Sequence, residues 1–358
     1  MIMEKQSIIR KIESIHNSVS NIQSKYELDM DQFSIHTKSE RLGKMKTALS
    51  KMKLKLKKSQ RLKRIRKSKY LYLIFLLPFI YYLIFHYAPM YGVIIAFKDY
   101  NIAKGVFGSE WAGMKYFKLF LLDEYFWKTL VRNTLLINFY NLLWGFPIPI
   151  ILALALNEVT NSKFKRVVQS VSYLPHFIST VVVCGMITNF LSSGGIINQF
   201  IESLGGKKIQ FLLMPEYFRT IYVASGIWQS AGWGSIVYLA ALTGVDQEIL
   251  EAAMIDGANR WHRIIHVTLP SIAPTISIML IMQLGRIMNI GYEKILLLYN
   301  DSTYETADVI STFVYRRGIL GGDFSYGTAV GLFQSLIGLI FLVSANKISK
   351  KLSETSLW

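Results

Sequence analysis

At 358 residues, with 52% of positions hydrophobic, 13% aromatic and only 18% charged, the chain is too apolar for ordinary soluble domains, where about 25% charged is usual. A single cysteine, Cys184, excludes a disulfide scaffold, and 24 Gly with 8 Pro against 21 Phe and 20 Tyr excludes collagenous, fibrous and wholly disordered chains. The net charge of +17 is unevenly placed: residues 1–69 hold 19 Lys/Arg and 6 Asp/Glu, and the other 289 hold 21 and 17. The positive excess therefore sits on one tail, directly before the first long apolar run, where anionic lipid would hold it on the cytoplasmic side. Nucleic acid is not expected as a partner, because no stacking aromatics interrupt the basic run.

Within the tail, Ile8, Ile12, Ile15, Val19 and Ile22 are spaced 4, 3, 4, 3 and form one helical seam. Barely two heptads are present, which suits a marginal or membrane-lying helix better than a coiled coil. Residues 44–69 contain 13 Lys/Arg and no acid, with Met45, Leu49, Met52, Leu56 and Leu62 between them. That segment reads either as a basic helix on the membrane surface or as a solvated tail. The apolar run that follows starts near residue 70 and is too long for a cleavable signal peptide.

Six apolar segments reach the roughly 20 residues that a bilayer requires: 70–97, 130–156, 167–191, 218–242, 272–298 and 327–345. With the N-terminus inside, the cytoplasmic segments carry 27 Lys/Arg and the external loops 9. The positive-inside bias predicts six spans with both termini in the cytoplasm. Pro78, Pro89, Pro147, Pro149 and Pro175 interrupt three of them, and such breaks survive at membrane depth only beside protein or a water-filled cavity. Gly327 and Gly331 form a small face on the last span, suited to close helix packing.

Between the fourth and fifth spans the sequence reads Glu251-Ala252-Ala253-Met254-Ile255-Asp256-Gly257-Ala258, and Leu269-Pro270 follows a dozen residues later. Small residues on a short helix outside the membrane let another protein approach its backbone. Gly257 is placed to end that helix in a left-handed conformation, and Pro270 to open the next span near its first turn. A helix–turn–helix parallel to the membrane is expected. The segment resembles the cytoplasmic signature of the permease subunits of bacterial ABC importers, in particular the carbohydrate branch that includes the maltose-type permeases. It departs at Ile264, where that family often has Phe. Residues 85–92, 97–100, 295–300 and 304–309 resemble a subgroup that imports complex oligosaccharides.

The resemblance covers about residues 70–350 and implies several things. The fold is all-α: a polytopic bundle of six transmembrane helices (70–350) with a cytoplasmic coupling loop (244–270), a basic extension (1–69) and a short cytoplasmic tail (351–358). Glu251, Ala252, Ala253, Asp256, Gly257, Ala258, Leu269 and Pro270 would dock onto the ATPase subunit. The partners would be a second permease, an ATPase dimer, an extracytoplasmic sugar-binding protein and the lipids of a bacterial cytoplasmic membrane. No cofactor is expected on this chain; ATP and Mg belong to the ATPase.

Absent chemistry agrees with this. No Gly-x-x-x-x-Gly-Lys-Ser/Thr is present, so ATP hydrolysis is not expected here, and no catalytic residue is assigned. His262 and His266 have i, i+4 spacing but lack the glutamate of a zinc protease, and no metal site is assigned. Asp29-Met30-Asp31 is a weak match to the acidic pair of metal-dependent glycosyltransferases.

For a translocation path, Gln283, Arg286, Asn289 and Glu293 are spaced 3, 3 and 4 and would form one polar stripe, with Lys294 beside it. Tyr292, Trp228, Trp233 and Tyr238 would supply aromatic faces for sugar C–H surfaces. Lys294 stands where related permeases often have Gln, which points toward an acidic sugar; a polar network between two permeases is the alternative use of the stripe. The expected function is thus one permease half of an oligosaccharide importer. The alternatives are a membrane component of polysaccharide synthesis, and a permease for another solute.

Overall fold

The computed structural model describes residues 67–353, together with Ser14, residues 16–20, Ile22, Ser50 and Lys51. Of the N-terminal seam only Val19 and Ile22 fall among these, both helical and exposed; Asp29, Asp31 and nearly all of the basic run lie outside them. The chain divides into two units, Met1–Ala88 and Pro89–Trp358.

In the first unit, α1 (Lys69–Tyr82) continues through a wide helical turn at Leu83–Tyr87. No residue of either is buried, and Pro78 lies within α1. A helix apolar on every side and without a buried residue has the surface of a lipid-facing element.

The second unit begins with a tight turn, Tyr91–Phe97, and a two-residue hairpin, β1 (Lys98–Asp99) against β2 (Glu110–Trp111) in antiparallel register. Helix α2 (Lys115–Leu121) follows. A continuous helical run then comprises a wide turn at Phe126–Val131, α3 (Arg132–Tyr140), a second wide turn at Asn141–Gly145 and α4 (Pro147–Glu158). Next come α5 (Ser162–Tyr173), α6 (Thr180–Leu191), α7 (Ile196–Ser203) and the 28-residue α8 (Pro215–Leu242). Helix α9 (Gln247–Ile255) precedes α10 (Arg260–Arg263), which runs through Ile264–Thr268 into α11 (Leu269–Gly285). The last elements are α12 (Tyr292–Leu298), α13 (Ile310–Val314) and α14 (Phe324–Ser353).

The fold is all-α and polytopic. Among the described residues five helical runs are long and apolar enough to cross a membrane: Lys69–Phe97, Phe126–Glu158, Thr180–Ser203, Arg260–Gly285 and Phe324–Lys351. Helix α8 is long enough, but Gln229 and its serines lower its apolarity. Three apolar clusters hold the unit together. Phe120, Phe126, Leu130, Ile310, Tyr326 and Val330 form one; Ile137, Phe218, Val223, Ile295 and Val309 a second; Ile150, Ala153, Leu242 and Ile272 a third.

Two expected spans differ from the structure. The run 167–191 is not one helix: it breaks after Tyr173 at a short tight turn, Leu174–Phe177, with Ile178 and Ser179 extended before α6. Pro175 cannot donate to the helical ladder, and past the break Gln229 Nε2 of α8 donates to the carbonyl of the extended Ile178 at 3.0 Å. The run 272–298 also breaks, at 286–291, because α11 ends at Gly285 and α12 starts at Tyr292. On the last span, Gly327 packs against Gly318, whereas nothing packs on Gly331.

Candidate coupling element and translocation path

Helix α9 starts where Asp246 caps it, the carboxylate accepting from the Glu248 N–H at 2.9 Å. Its end is a Schellman closure. The Gly257 N–H donates to the Met254 carbonyl (3.1 Å) and the Ala258 N–H to that of Ala253 (2.9 Å). This requires the left-handed φ of +80° at Gly257, and the space around its missing side chain is open. Asn259 then caps α10, accepting from the His262 N–H at 2.9 Å.

Glu251, Ala252, Asp256, Gly257 and Pro270 are exposed; Ala253, Ala258 and Leu269 are half-buried. Large apolar side chains surround them uncovered, Ile255 at 86% and Trp261 at 73% of full exposure, with Met254 and Ile265 beside them. A patch of that kind marks an interaction surface. One expectation is corrected here. The second arm is no separate helix: α10 runs unbroken into α11, with Pro270 in the first turn of α11. The wide turn Ile264–Thr268 just before Pro270 loosens the ladder that the proline interrupts. The rings of His262 and His266 stack 5.7 Å apart, and His266 Nδ1 lies 3.1 Å from the His262 carbonyl oxygen.

The polar stripe expected on the fifth span is not a stripe on one helix. Gln283 lies in the last turn of α11, Arg286 and Asn289 in the break, and Glu293 in the first turn of α12. Two carbonyls freed by the break are met by side chains from other helices: Asn138 Nδ2 of α3 donates to that of Ile287 (2.7 Å) and Gln334 Nε2 of α14 to that of Met288 (2.8 Å). Backbone irregularity at this depth requires such partners. Gln283, Arg286, Asn289, Tyr292 and Glu293 are all exposed. Lys294 is not free: its Nζ donates to the Tyr222 carbonyl of α8 at 3.2 Å and lies over the Tyr222 ring.

The expected aromatics divide. Trp228 and Trp233 are exposed on α8, and Trp233 stacks on His176 with ring centroids 4.6 Å apart and planes 4° from parallel. Tyr238 is buried in the cluster with Ile150, Ala153 and Leu242, so it packs the bundle and lines no path in this structure.

Sequence reading missed a polar hub beside these elements. Asp308 is fully buried, and Arg316 clamps it with two bonds, Nη1 to Oδ1 (2.9 Å) and Nη2 to Oδ2 (2.7 Å). Tyr125 Oη donates to Oδ2 (2.7 Å), Thr312 Oγ1 to Oδ1 (2.7 Å), and Arg316 Nη1 also to Tyr299 Oη (3.0 Å). Burial and the bond to Asp308 push the Tyr125 phenol above its usual range. Burial opposes the charge on Arg316, but its bonds to Asp308 and Tyr299 outweigh that and hold it protonated more firmly than an ordinary arginine. The Asp308–Arg316 spacing matches no helical pair, and Tyr125 is 183 residues from Asp308, so no local signal marks the hub.

Residues 145–354 match the family described as the binding-protein-dependent transport system inner membrane component. The chain belongs to this family. The permease is 45% identical over 295 residues to protein LplB of Bacillus subtilis (strain 168), covering 82% of this chain and 92% of LplB. It is 44% identical over 306 residues to the polygalacturonan/rhamnogalacturonan transport system permease protein YteP of the same organism, covering 85% and 95%. A crystal structure of a bacterial alginate ABC transporter, in complex with an alginate pentasaccharide-bound periplasmic protein, superposes with a TM-score of 0.75 at 42% identity, covering 82% of this chain and 99% of that one. The permease is thus a membrane transport subunit of an ABC importer and not an enzyme, with ATP hydrolysis on a separate chain. Membership removes the alternative of a polysaccharide-synthesis component.

Proposed function

We propose that this permease is one half of the membrane channel of an importer that moves an acidic oligosaccharide across the bacterial cytoplasmic membrane by alternating access. Six spans, with α8 as the fourth and both termini cytoplasmic, fit the distribution of Lys/Arg between the two sides. An extracytoplasmic binding protein delivers the sugar, as a periplasmic protein does in the alginate transporter. A second permease completes the path, and an ATPase dimer holding ATP and Mg supplies the work. Polygalacturonan and alginate, named for two similar proteins, are both uronate polymers, which supports a charged cargo.

The observation that carries the reading is the exposed element at 244–270. Glu251, Ala252 and Ala253 sit on a short capped helix and Asp256, Gly257 and Ala258 in the turn that ends it, flanked by uncovered Ile255 and Trp261. The neighbouring α10 is continuous with α11, so a push on the element tilts a whole span. Leu269 and Pro270 stand at the junction. Along the path, Gln283, Arg286, Asn289, Tyr292 and Glu293 offer donors and acceptors at the broken span, and Trp228 and Trp233 offer aromatic faces. Lys294 braces α12 against α8.

The test is purification of the chain from native membranes in mild detergent, followed by reconstitution with what accompanies it. Recovery of a second permease and an ATPase, and ATP-dependent uptake of oligogalacturonate when a binding protein is supplied, is the expected result. Isolation without either partner, even after cross-linking, would overturn the reading.

A further inference from the structure

Within the six apolar runs of the sequence stand four basic residues, Arg132, Arg219, Arg286 and Lys294, against one acid, Glu293. Cations at membrane depth are costly and normally face a partner or a water-filled path. Arg132 begins α3 and Arg219 lies in the second turn of α8, and the two share one small polar hub. Arg132 Nη2 and Asn133 Nδ2 both donate to the main-chain carbonyl of Glu305, at 3.2 and 3.0 Å. Arg219 Nη2 donates to Asn133 Oδ1 at 2.8 Å.

What is missing is negative charge. Neither arginine is ion-paired with a carboxylate of the described residues. The Glu305 carboxylate acts on Arg219 only through space, and Arg132 repels it. Arg219 Nε is buried with no hydrogen-bond partner, an arrangement native proteins rarely leave without cause. Arg316, on the neighbouring segment, shows the contrast: its charge is met in full by Asp308.

We infer that Arg132 and Arg219 form a subsite for a carboxylate of the oligosaccharide cargo, at the end of the bundle where cargo enters. The inference rests on the permease reading above. From Arg219 to Leu242, where α8 turns toward the coupling element, is about 35 Å of helix, so the subsite and that element lie at opposite ends of one span. Arg132 is exposed and Arg219 half-buried, leaving the pair open on one side. Two guanidinium forks suit carboxylate or phosphate. The exposed Glu305 beside them penalises a dianion more than a monoanion, which favours the uronate carboxylate.

The experiment uses the complete importer in proteoliposomes with saturating ATP, its binding protein and an oligogalacturonate of one length. Arg132→Gln and Arg219→Gln are expected to raise KM for this cargo about tenfold, the loss of one charged hydrogen bond. Lysine at either position, which keeps the charge but not the fork, should restore part of it. Normal import by both Gln variants would overturn the inference while leaving the permease reading intact. So would equal losses for Gln and Lys with a lowered Tm, or equal import of the carboxyl-reduced oligosaccharide by the wild type. An effect seen only with phosphatidylglycerol in the vesicles would assign the pair to lipid headgroups instead. Failure of the wild type to import any oligosaccharide would defeat the oligosaccharide reading itself, and the inference with it.

Discussion

Asn138 of α3 donates from Nδ2 to the main-chain carbonyl of Ile287, 2.7 Å away and 149 residues later in the chain. That bond lets the fifth span break at 286–291 without leaving a bare carbonyl in an apolar setting. Asn138→Leu keeps the volume roughly and removes the donor. It should cost about 1–3 kcal/mol, the penalty of an unsatisfied buried acceptor. Thermal unfolding of the purified importer is the check, and an unchanged Tm would mean that water replaces the amide.

The distant origin of that donor explains what could be read in the sequence and what could not. Apolar runs depend on composition alone, and α1 and α14 lie on the runs 70–97 and 327–345 that it marks, while α11 fills only the first half of 272–298. The breaks at Pro175 and Arg286 depend on Gln229, Asn138 and Gln334, which lie on other helices. Pro175 marks the first break in the sequence, but the hydropathy pattern carries no mark of the break at Arg286 or of the side chains that meet either one. The expected stripe from Gln283 to Glu293 failed for this reason: its 3.6-residue spacing is real, but the helix that would make it a stripe is cut in the middle. Tyr238 failed differently, since an aromatic side chain on α8 reads the same whether it faces a path or a core.

Two glycines separate conformational freedom from close packing. Gly257 has φ +80° in open space, so Gly257→Ala should cost only about 1 kcal/mol. Gly232 is in ordinary helical conformation, but a Cβ there would collide with the Ser172 carbonyl oxygen of α5. Gly232→Ala should therefore force α5 and α8 apart and lower Tm far more than Gly257→Ala. Gly257→Val should lower Tm more than Gly257→Ala, because a β-branched side chain resists φ +80°, but less than Gly232→Ala, while uncoupling ATP hydrolysis from uptake. Normal import by that variant would remove the coupling role assigned to the α9 turn.

Acidification should loosen the hairpin of β1 and β2 first. Bonds from Lys115 and Tyr116 hold the Asp99 carboxyl below the usual aspartate range. A carboxyl with a lowered folded pKa contributes stability that is fully present above its unfolded value, about 3.9, and is lost as pH falls through the folded value. Protection factors for amides across 98–116, referred to the intrinsic rate at each pH, should therefore fall below about pH 4 in the wild type. Asp99→Asn should show lower protection already at neutral pH and little further change on acidification. Identical profiles for the two proteins would show that Lys115 and Tyr116 add nothing to the hairpin.

The Asp308–Arg316 clamp makes the sharpest energetic prediction, because Asp308 is fully buried and Arg316 is held by both carboxylate oxygens. Removing one partner strands the other charge. Asp308→Asn keeps the shape but only one acceptor oxygen, so it can accept from Tyr125 or from Thr312 and not from both, and it leaves Arg316 without its counter-ion, at a cost of about 3–5 kcal/mol. Replacing both, as Asp308→Leu with Arg316→Met, removes the stranded charge and should be less damaging than either single change. A double-mutant cycle on Tm or on the rate of proteolysis reads the difference. Additive losses would mean that the pair is solvated in the working importer and that the hub joining Tyr125, Asp308 and Arg316 opens during transport.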